Sequence, residues 1–128
     1  MKSITTQLVE TSQGLINEVP EVRDETGHYT MADDGGVEFE VGEFLYGLVR
    51  ILQPEEVLTT GIYSGISDMY IAQGLVDNGH GGSTALEYEK VHIDRAWKLW
   101  SETGVAHKIS PILISSLDFK PDKEYELI

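Results

Sequence analysis

The chain has no cysteine among its 128 residues, which excludes a disulfide scaffold, a thiolate zinc site and a cysteine nucleophile. No apolar run approaches the roughly 20 residues needed to span a bilayer. Met1-Lys2-Ser3-Ile4 opens no apolar signal-peptide core, so a soluble, cytoplasmic protein is expected. Positive charge is scarce: 9 Lys and Arg stand against 22 Asp and Glu, for a net charge of −13. The imbalance is steepest over residues 1–56, with 12 acidic and 3 basic residues. Such a surface repels phosphate backbones and anionic lipid, so neither nucleic acid nor a membrane is an expected partner. The four histidines, His28, His80, His92 and His107, are scattered, and no pair has the spacing of a metal site. No metal is expected. What remains is ordinary for one globular domain, with 41% hydrophobic and 24% charged residues.

The pattern along the chain divides at about residue 36. Ile4, Leu8, Leu15 and Ile16 are weakly periodic and predict a short amphipathic helix within residues 4–18. From Glu18 to Gly36 the chain carries Pro20, Gly27, Asp33-Asp34 and Gly35-Gly36, the composition of an acidic loop or arm. Residues 1–36 therefore form one region and residues 37–128 a second. In the second, Phe44, Leu45, Leu48, Val49 and Leu52 recur at helical spacing until Pro54 stops the helix. Helix and strand signals then alternate: strand 56–60, helix 66–77, strand 83–88, helix 90–103, strand 109–114 and the start of a fourth strand at 125–128. Pro111 favours an edge position for the third strand. This alternation predicts an α/β fold, a Rossmann-like parallel sheet with right-handed crossovers and helices on both faces, truncated after the fourth strand.

In such sheets ligands bind beyond the carboxyl ends of the strands. The first strand-to-helix turn there is Gly61-Ile62-Tyr63-Ser64-Gly65. Glycine at both ends permits a tight turn and lets a ligand approach without meeting a Cβ. Tyr63 is the aromatic placed to contact that ligand, whereas Ser64 has no histidine base at a readable spacing and is no nucleophile. Glu87 ends the second strand, where an acid accepts hydrogen bonds from both hydroxyls of a ribose. Trp97 and Trp100, three apart on one helix, read as packing residues.

Val57-Leu58-Thr59-Thr60-Gly61-Ile62-Tyr63-Ser64-Gly65-Ile66-Ser67 resembles the first motif of class I S-adenosylmethionine-dependent methyltransferases, in their small-molecule O-methyltransferase branch. The helix at Val41-Gly42-Glu43-Phe44-Leu45 and Pro54 before the strand are similar to that branch as well. Ala85-Leu86-Glu87-Tyr88-Glu89 resembles its second motif, and Ser115-Ser116-Leu117-Asp118 falls where its adenine-contacting loop follows the third strand. The resemblance spans residues 37–128 and implies S-adenosylmethionine as cofactor, held by Gly61, Tyr63, Ser64, Gly65, Glu87, Ser115 and Ser116. It implies methyl transfer to a small-molecule acceptor. Thr59 stands where the family carries an acid, and Ser115 where an acid commonly lies near adenine. The family's catalytic acids follow its fourth strand, so no catalytic residue is assigned in this sequence. The alternative is a non-catalytic structural or interaction protein that retains the half-fold. A fourth strand on an open edge also invites a homo-oligomer, or a partner protein covering that edge. Otherwise residues 1–36 fold over it.

Overall fold

A computed structural model describes residues 2–16 and 37–128; the expected acidic arm, residues 18–36, lies outside them. Helix α1 (Ile4–Thr11) starts at Ser3, whose hydroxyl accepts the Thr6 N–H at 3.1 Å, a side-chain N-cap. It is shorter than the sequence pattern predicts. Gln13 and Gly14, at φ 54° and 87°, turn the backbone out of the helix.

Helix α2 (Phe39–Leu52) ends at Gln53, left-handed at φ 52°, just before Pro54. Its buried residues are Phe39, Gly42 and Val49, so the predicted stripe and the observed one differ. Phe44 and Leu52 point to solvent, while Leu45 and Leu48 are half-buried. The helix has apolar residues on more than one side, and spacing alone does not say which side faces the core.

Strand β1 (Glu56–Thr60), helix α3 (Ile66–Asn78), strand β2 (Gly82–Glu87), helix α4 (Lys90–Glu102) and strand β3 (Ile109–Leu113) complete the order. The sheet runs β1-β2-β3 and is parallel throughout. Both crossovers step the same way across it, which places α3 and α4 on a common face. The register puts Val57, Ser83 and Ile109 in one row of that face, with Thr59 and Ala85 in the next. Ala85 and Ile109 join the core of α3 and α4 around Met69, Tyr70 and Trp100, and Val57 packs with Val49, Ile71 and Leu75. Leu58, Thr84 and Leu86 point the other way and are buried too, so the centre of the sheet is covered on both sides. Pro111 lies on the outer strand as expected, pairing only toward Ala85 of β2.

The predicted fourth strand is reduced to a contact. Leu127 makes a single parallel bridge to Val57, with Leu58 N–H donating to the Leu127 carbonyl and Glu126 N–H to the Glu56 carbonyl, both at 2.9 Å. The spatial order is the anticipated 3-2-1-4, but two bonds do not make a ladder. Among the described residues, no helix is long and apolar enough to cross a membrane.

Tyr70, fully buried on α3, ties α1 to the domain. Thr5 donates its hydroxyl proton to Glu43 at 2.6 Å, so the 2.6 Å contact between Thr5 and Tyr70 has the phenol as donor. Burial, opposed by the Thr5 bond and reinforced by Glu43 and Glu40, pushes the Tyr70 phenol up to about 12. Replacing Tyr70 with Phe removes this donor and should lower stability by about 1 kcal/mol. Urea unfolding should show a lower midpoint at unchanged slope.

Candidate functional site

Beyond the carboxyl end of β1 the chain makes the predicted glycine turn. Gly61, Tyr63 and Gly65 all have positive φ, at 79°, 50° and 81°. A non-glycine residue in that region is uncommon and is held there by its surroundings. At Tyr63 the holding groups are visible. Its N–H donates to Glu87 Oε2 at 3.1 Å, the Arg95 guanidinium lies 4.7 Å from its ring centre, and the His92 ring meets it edge-on at 5.3 Å.

The two glycines serve different purposes. A Cβ at Gly61 would meet nothing within 4 Å, so the open side expected for a ligand exists there. At Gly65 a Cβ would lie 2.6 Å from the Ala96 Cβ and 2.8 Å from Trp100 Nε1. The Gly65 carbonyl accepts that indole N–H at 2.9 Å. The approach path predicted to belong to a ligand at Gly65 is therefore filled by α4. This corrects the reason for the second glycine: it lets two helices touch. Trp100, buried, is the packing residue anticipated, with Trp97 against it edge-on.

Glu87 ends β2 and is 4% exposed. Its Oε1 accepts the N–H groups of Tyr88 at 2.9 Å and Glu89 at 3.1 Å, while Oε2 accepts that of Tyr63. His92 Nδ1 stands 3.4 Å from Oε2. Burial raises the Glu87 pKa, but the amides of Tyr63, Glu89 and Tyr88, together with His92, outweigh it and hold the carboxyl below its ordinary value. It is an anion at neutral pH.

Two cavities adjoin at Gly61. One, of about 300 Å³, is lined by Val37, Gly61, Ile62, Tyr63, Ser64, Ile66 and Ser67. The other, of about 220 Å³, is lined by Thr60, Gly61, Leu86, Glu87, Tyr88, Ile114 and Ser116. The structure thus places Gly61, Tyr63 and Ser64 in the wall of one cavity and Gly61, Glu87 and Ser116 in the wall of the other. Ser115 is set apart: its hydroxyl accepts the Leu117 N–H at 3.2 Å and its carbonyl the Asp118 N–H at 3.0 Å, a local turn. Among the described residues no cluster of His, Cys, Asp or Glu has the shape of a metal site.

One residue at the site escaped the sequence reading. Asp68, in the first turn of α3, is 1% exposed. Its Oδ1 accepts the Thr59 hydroxyl at 2.5 Å, and its Oδ2 has no hydrogen-bond partner among the described residues. Burial raises its pKa to about 6, with the Thr59 bond and its own amide opposing and the Glu87 charge adding. The available signal was a lone acid in the helix start Ile66-Ser67-Asp68-Met69-Tyr70.

Two measurements check this geometry. Gly61→Ala should cost about 1–2 kcal/mol, the strain of a left-handed alanine. Gly65→Ala should cost a further 1–3 kcal/mol or so, because overpacking adds to the strain; urea unfolding of the two variants compares them. For Asp68 the folded pKa of about 6 exceeds the ordinary aspartate value of 3.8, so the unfolded chain ionises first as pH rises. Stability should therefore fall between about pH 4 and pH 6, by on the order of 3 kcal/mol. Asp68→Asn should abolish that fall.

Residues 9–121 match the sequence profile of the O-methyltransferase family. No curated protein sequence matches the chain. Among solved structures, an O-methyltransferase from Bacillus cereus in complex with S-adenosylhomocysteine aligns at 22% identity with a TM-score of 0.64, over 88% of this chain and 45% of that one. The O-methyltransferase TomG from Streptomyces achromogenes, in complex with S-adenosylmethionine, aligns at 24% identity and a TM-score of 0.58, over 82% and 41%. An S-adenosylmethionine-dependent O-methyltransferase from Thermotoga maritima gives 15% identity and a TM-score of 0.65, over 76% and 36%. The chain spans less than half the length of each. Its parallel sheet, its glycine turn and a profile match over residues 9–121 agree, and the chain belongs to the O-methyltransferase family.

Proposed function

We propose that this chain binds S-adenosylmethionine and forms the cofactor-binding part of an enzyme that methylates a hydroxyl of a small molecule. The observation that carries the reading is the pair of cavities meeting at Gly61, with the Glu87 carboxylate in the wall of one and the Tyr63 turn in the wall of the other. Together they fall in the size range of small-molecule sites, and their lining suits the cofactor. When bound, S-adenosylmethionine supplies an electrophilic methyl group on a sulfonium centre.

In this reading the ribose hydroxyls donate to Glu87. A carboxylate oxygen has two good acceptor positions. Oε1 uses both on the amides of Tyr88 and Glu89, whereas Oε2 accepts one amide, that of Tyr63. Oε2 is therefore the oxygen that takes a hydroxyl, and a second hydroxyl competes with the Tyr63 N–H. Tyr88 and Ser116 line the part of the cleft where the base would lie. The Gly61–Ser64 backbone would face the amino-acid part, since Gly61 offers no Cβ to obstruct it. The net charge of −13 favours a cationic ligand over an anionic one.

We further propose self-association along the outer edge of β1. Leu45, Leu48, Leu58, Leu127 and Ile128 line an open groove of about 340 Å³ there, and Phe44, Ile51 and Leu52 are exposed on α2 nearby, an apolar surface of the kind that seeks a partner.

Calorimetry tests the cofactor reading. S-adenosylmethionine and S-adenosylhomocysteine should both bind, and Glu87→Ala should weaken each by about 1.5–3 kcal/mol, the worth of a hydrogen bond to a charged group. Absence of binding to the unmodified chain overturns the reading; unchanged affinity in Glu87→Ala overturns the ribose assignment alone. Light scattering should give a mass above the 14.2 kDa of one chain, and a mass of one chain overturns the proposed self-association.

A further inference from the structure

His92 places a ring nitrogen beside the oxygen on which the ribose assignment depends. Its Nδ1 is 3.4 Å from Glu87 Oε2, yet that atom is buried and makes no hydrogen bond among the described residues. The other nitrogen, Nε2, stands 3.7 Å from Glu89 Oε2. The imidazole thus lies between two carboxylates. A buried polar atom without a partner is costly, and here the nearest acceptor is only about half an ångström beyond bonding distance.

The other groups around the ring do not supply that bond. The glycine turn presents the Tyr63 ring, an aromatic contact. On α4, Arg95 lies over that same ring and Lys90 is paired with Asp94. Strand β3, Ile-Ser-Pro-Ile-Leu, carries no titratable side chain, and Asp68 on α3 is felt at Glu87.

What Nδ1 does therefore depends on a proton. Imidazole is the side chain that changes charge near neutrality. A neutral ring has one N–H. With that proton on Nε2, facing Glu89, Nδ1 carries a lone pair and leaves Glu87 Oε2 to another donor. A doubly protonated ring has an N–H at each nitrogen, and a small rotation brings one of them to Oε2 as a charge-assisted bond. Oε2 already accepts the Tyr63 amide, so it has one good position left. His92 and a ribose hydroxyl compete for it.

We propose that His92 is a proton-operated positioning residue for the cofactor's ribose: neutral, it leaves Glu87 Oε2 open to the hydroxyl, and protonated, it takes that position itself. This rests on the cofactor reading above. His92 lines neither cavity at Gly61 and acts only through Glu87, which lines one of them. The ligand-free protein holds the second imidazole proton more tightly than the liganded one. Binding therefore releases a proton, and affinity falls as pH falls.

The full chain is titrated calorimetrically from about pH 8 to about pH 5.5 with S-adenosylhomocysteine and with methylthioadenosine. The second ligand keeps the nucleoside and the thioether and has no group that ionises in this range. Both should lose about 10-fold in affinity toward the acid end, as expected of one charge-assisted competitor. Both should also release protons near the middle of the range, read from binding heats in buffers of different ionisation enthalpy. His92→Gln keeps a polar side chain and removes the titration, so its affinity should stay flat at the parent's alkaline value. Asp68→Asn removes the other acid that titrates there and should keep the pH dependence. A flat profile in the parent, or a slope retained in His92→Gln, overturns the proposal. So does a slope seen with S-adenosylhomocysteine alone, which would place the effect at the amino-acid end. Should His92→Gln not fold, proton release by the Asp68→Asn chain decides: its presence supports the proposal and its absence overturns it. Failure of the unmodified chain to bind either ligand at any pH would instead overturn the cofactor reading.

Discussion

Trp100 reaches its indole N–H to the carbonyl of Gly65 across a space with no room for a methyl group. Much of the site follows from that contact. It fixes the start of α3 against α4, and the start of α3 fixes where the turn after β1 must finish. With both ends of the turn set, Tyr63 is left in a left-handed conformation that a tyrosine does not choose freely. The Glu87 carboxylate, at the end of the neighbouring strand, holds it there. Packing on the helix side and polar chemistry on the cleft side are thus joined through five residues of backbone.

The two buried acids show how differently burial can be met. Glu87 loses water but gains three amides, and its charge is stabilised. Asp68 loses water and gains one hydroxyl and its own amide, and its charge is penalised. Both are on the page of the sequence as single letters. What separates them is the supply of donors: three backbone N–H groups converge on Glu87, whereas Asp68 has the Thr59 hydroxyl and its own amide.

Strand, turn and helix boundaries from Glu56 to Leu113 were legible because breakers punctuate them: Pro54, Gly61, Gly65, the cluster at Asn78-Gly79 and Gly104. The sheet order followed from alternation and handedness. Less legible was the orientation of α2, whose apolar residues surround it too widely for spacing to choose a face. The role of Gly65 was also hidden, since a ligand and a helix impose the same demand on a glycine. Ser116 lines the cavity at the end of β2, while the hydroxyl of its neighbour Ser115 accepts the Leu117 N–H within the turn. Asp68 was unreadable because its meaning depends on Thr59, nine positions away and on another element.

The bond from the Tyr63 amide to Glu87 has a consequence for how binding would be felt. The oxygen that restrains the turn is the one with capacity left for a sugar hydroxyl. A guest that claims it fully must loosen the restraint on Tyr63, whose ring lies beneath Arg95 and against His92. Under the proposed reading, a sugar hydroxyl at Glu87 would be felt at the Tyr63 ring through that amide. Tyrosine fluorescence or the ring-proton signals of Tyr63 would then register a sugar that never touches them.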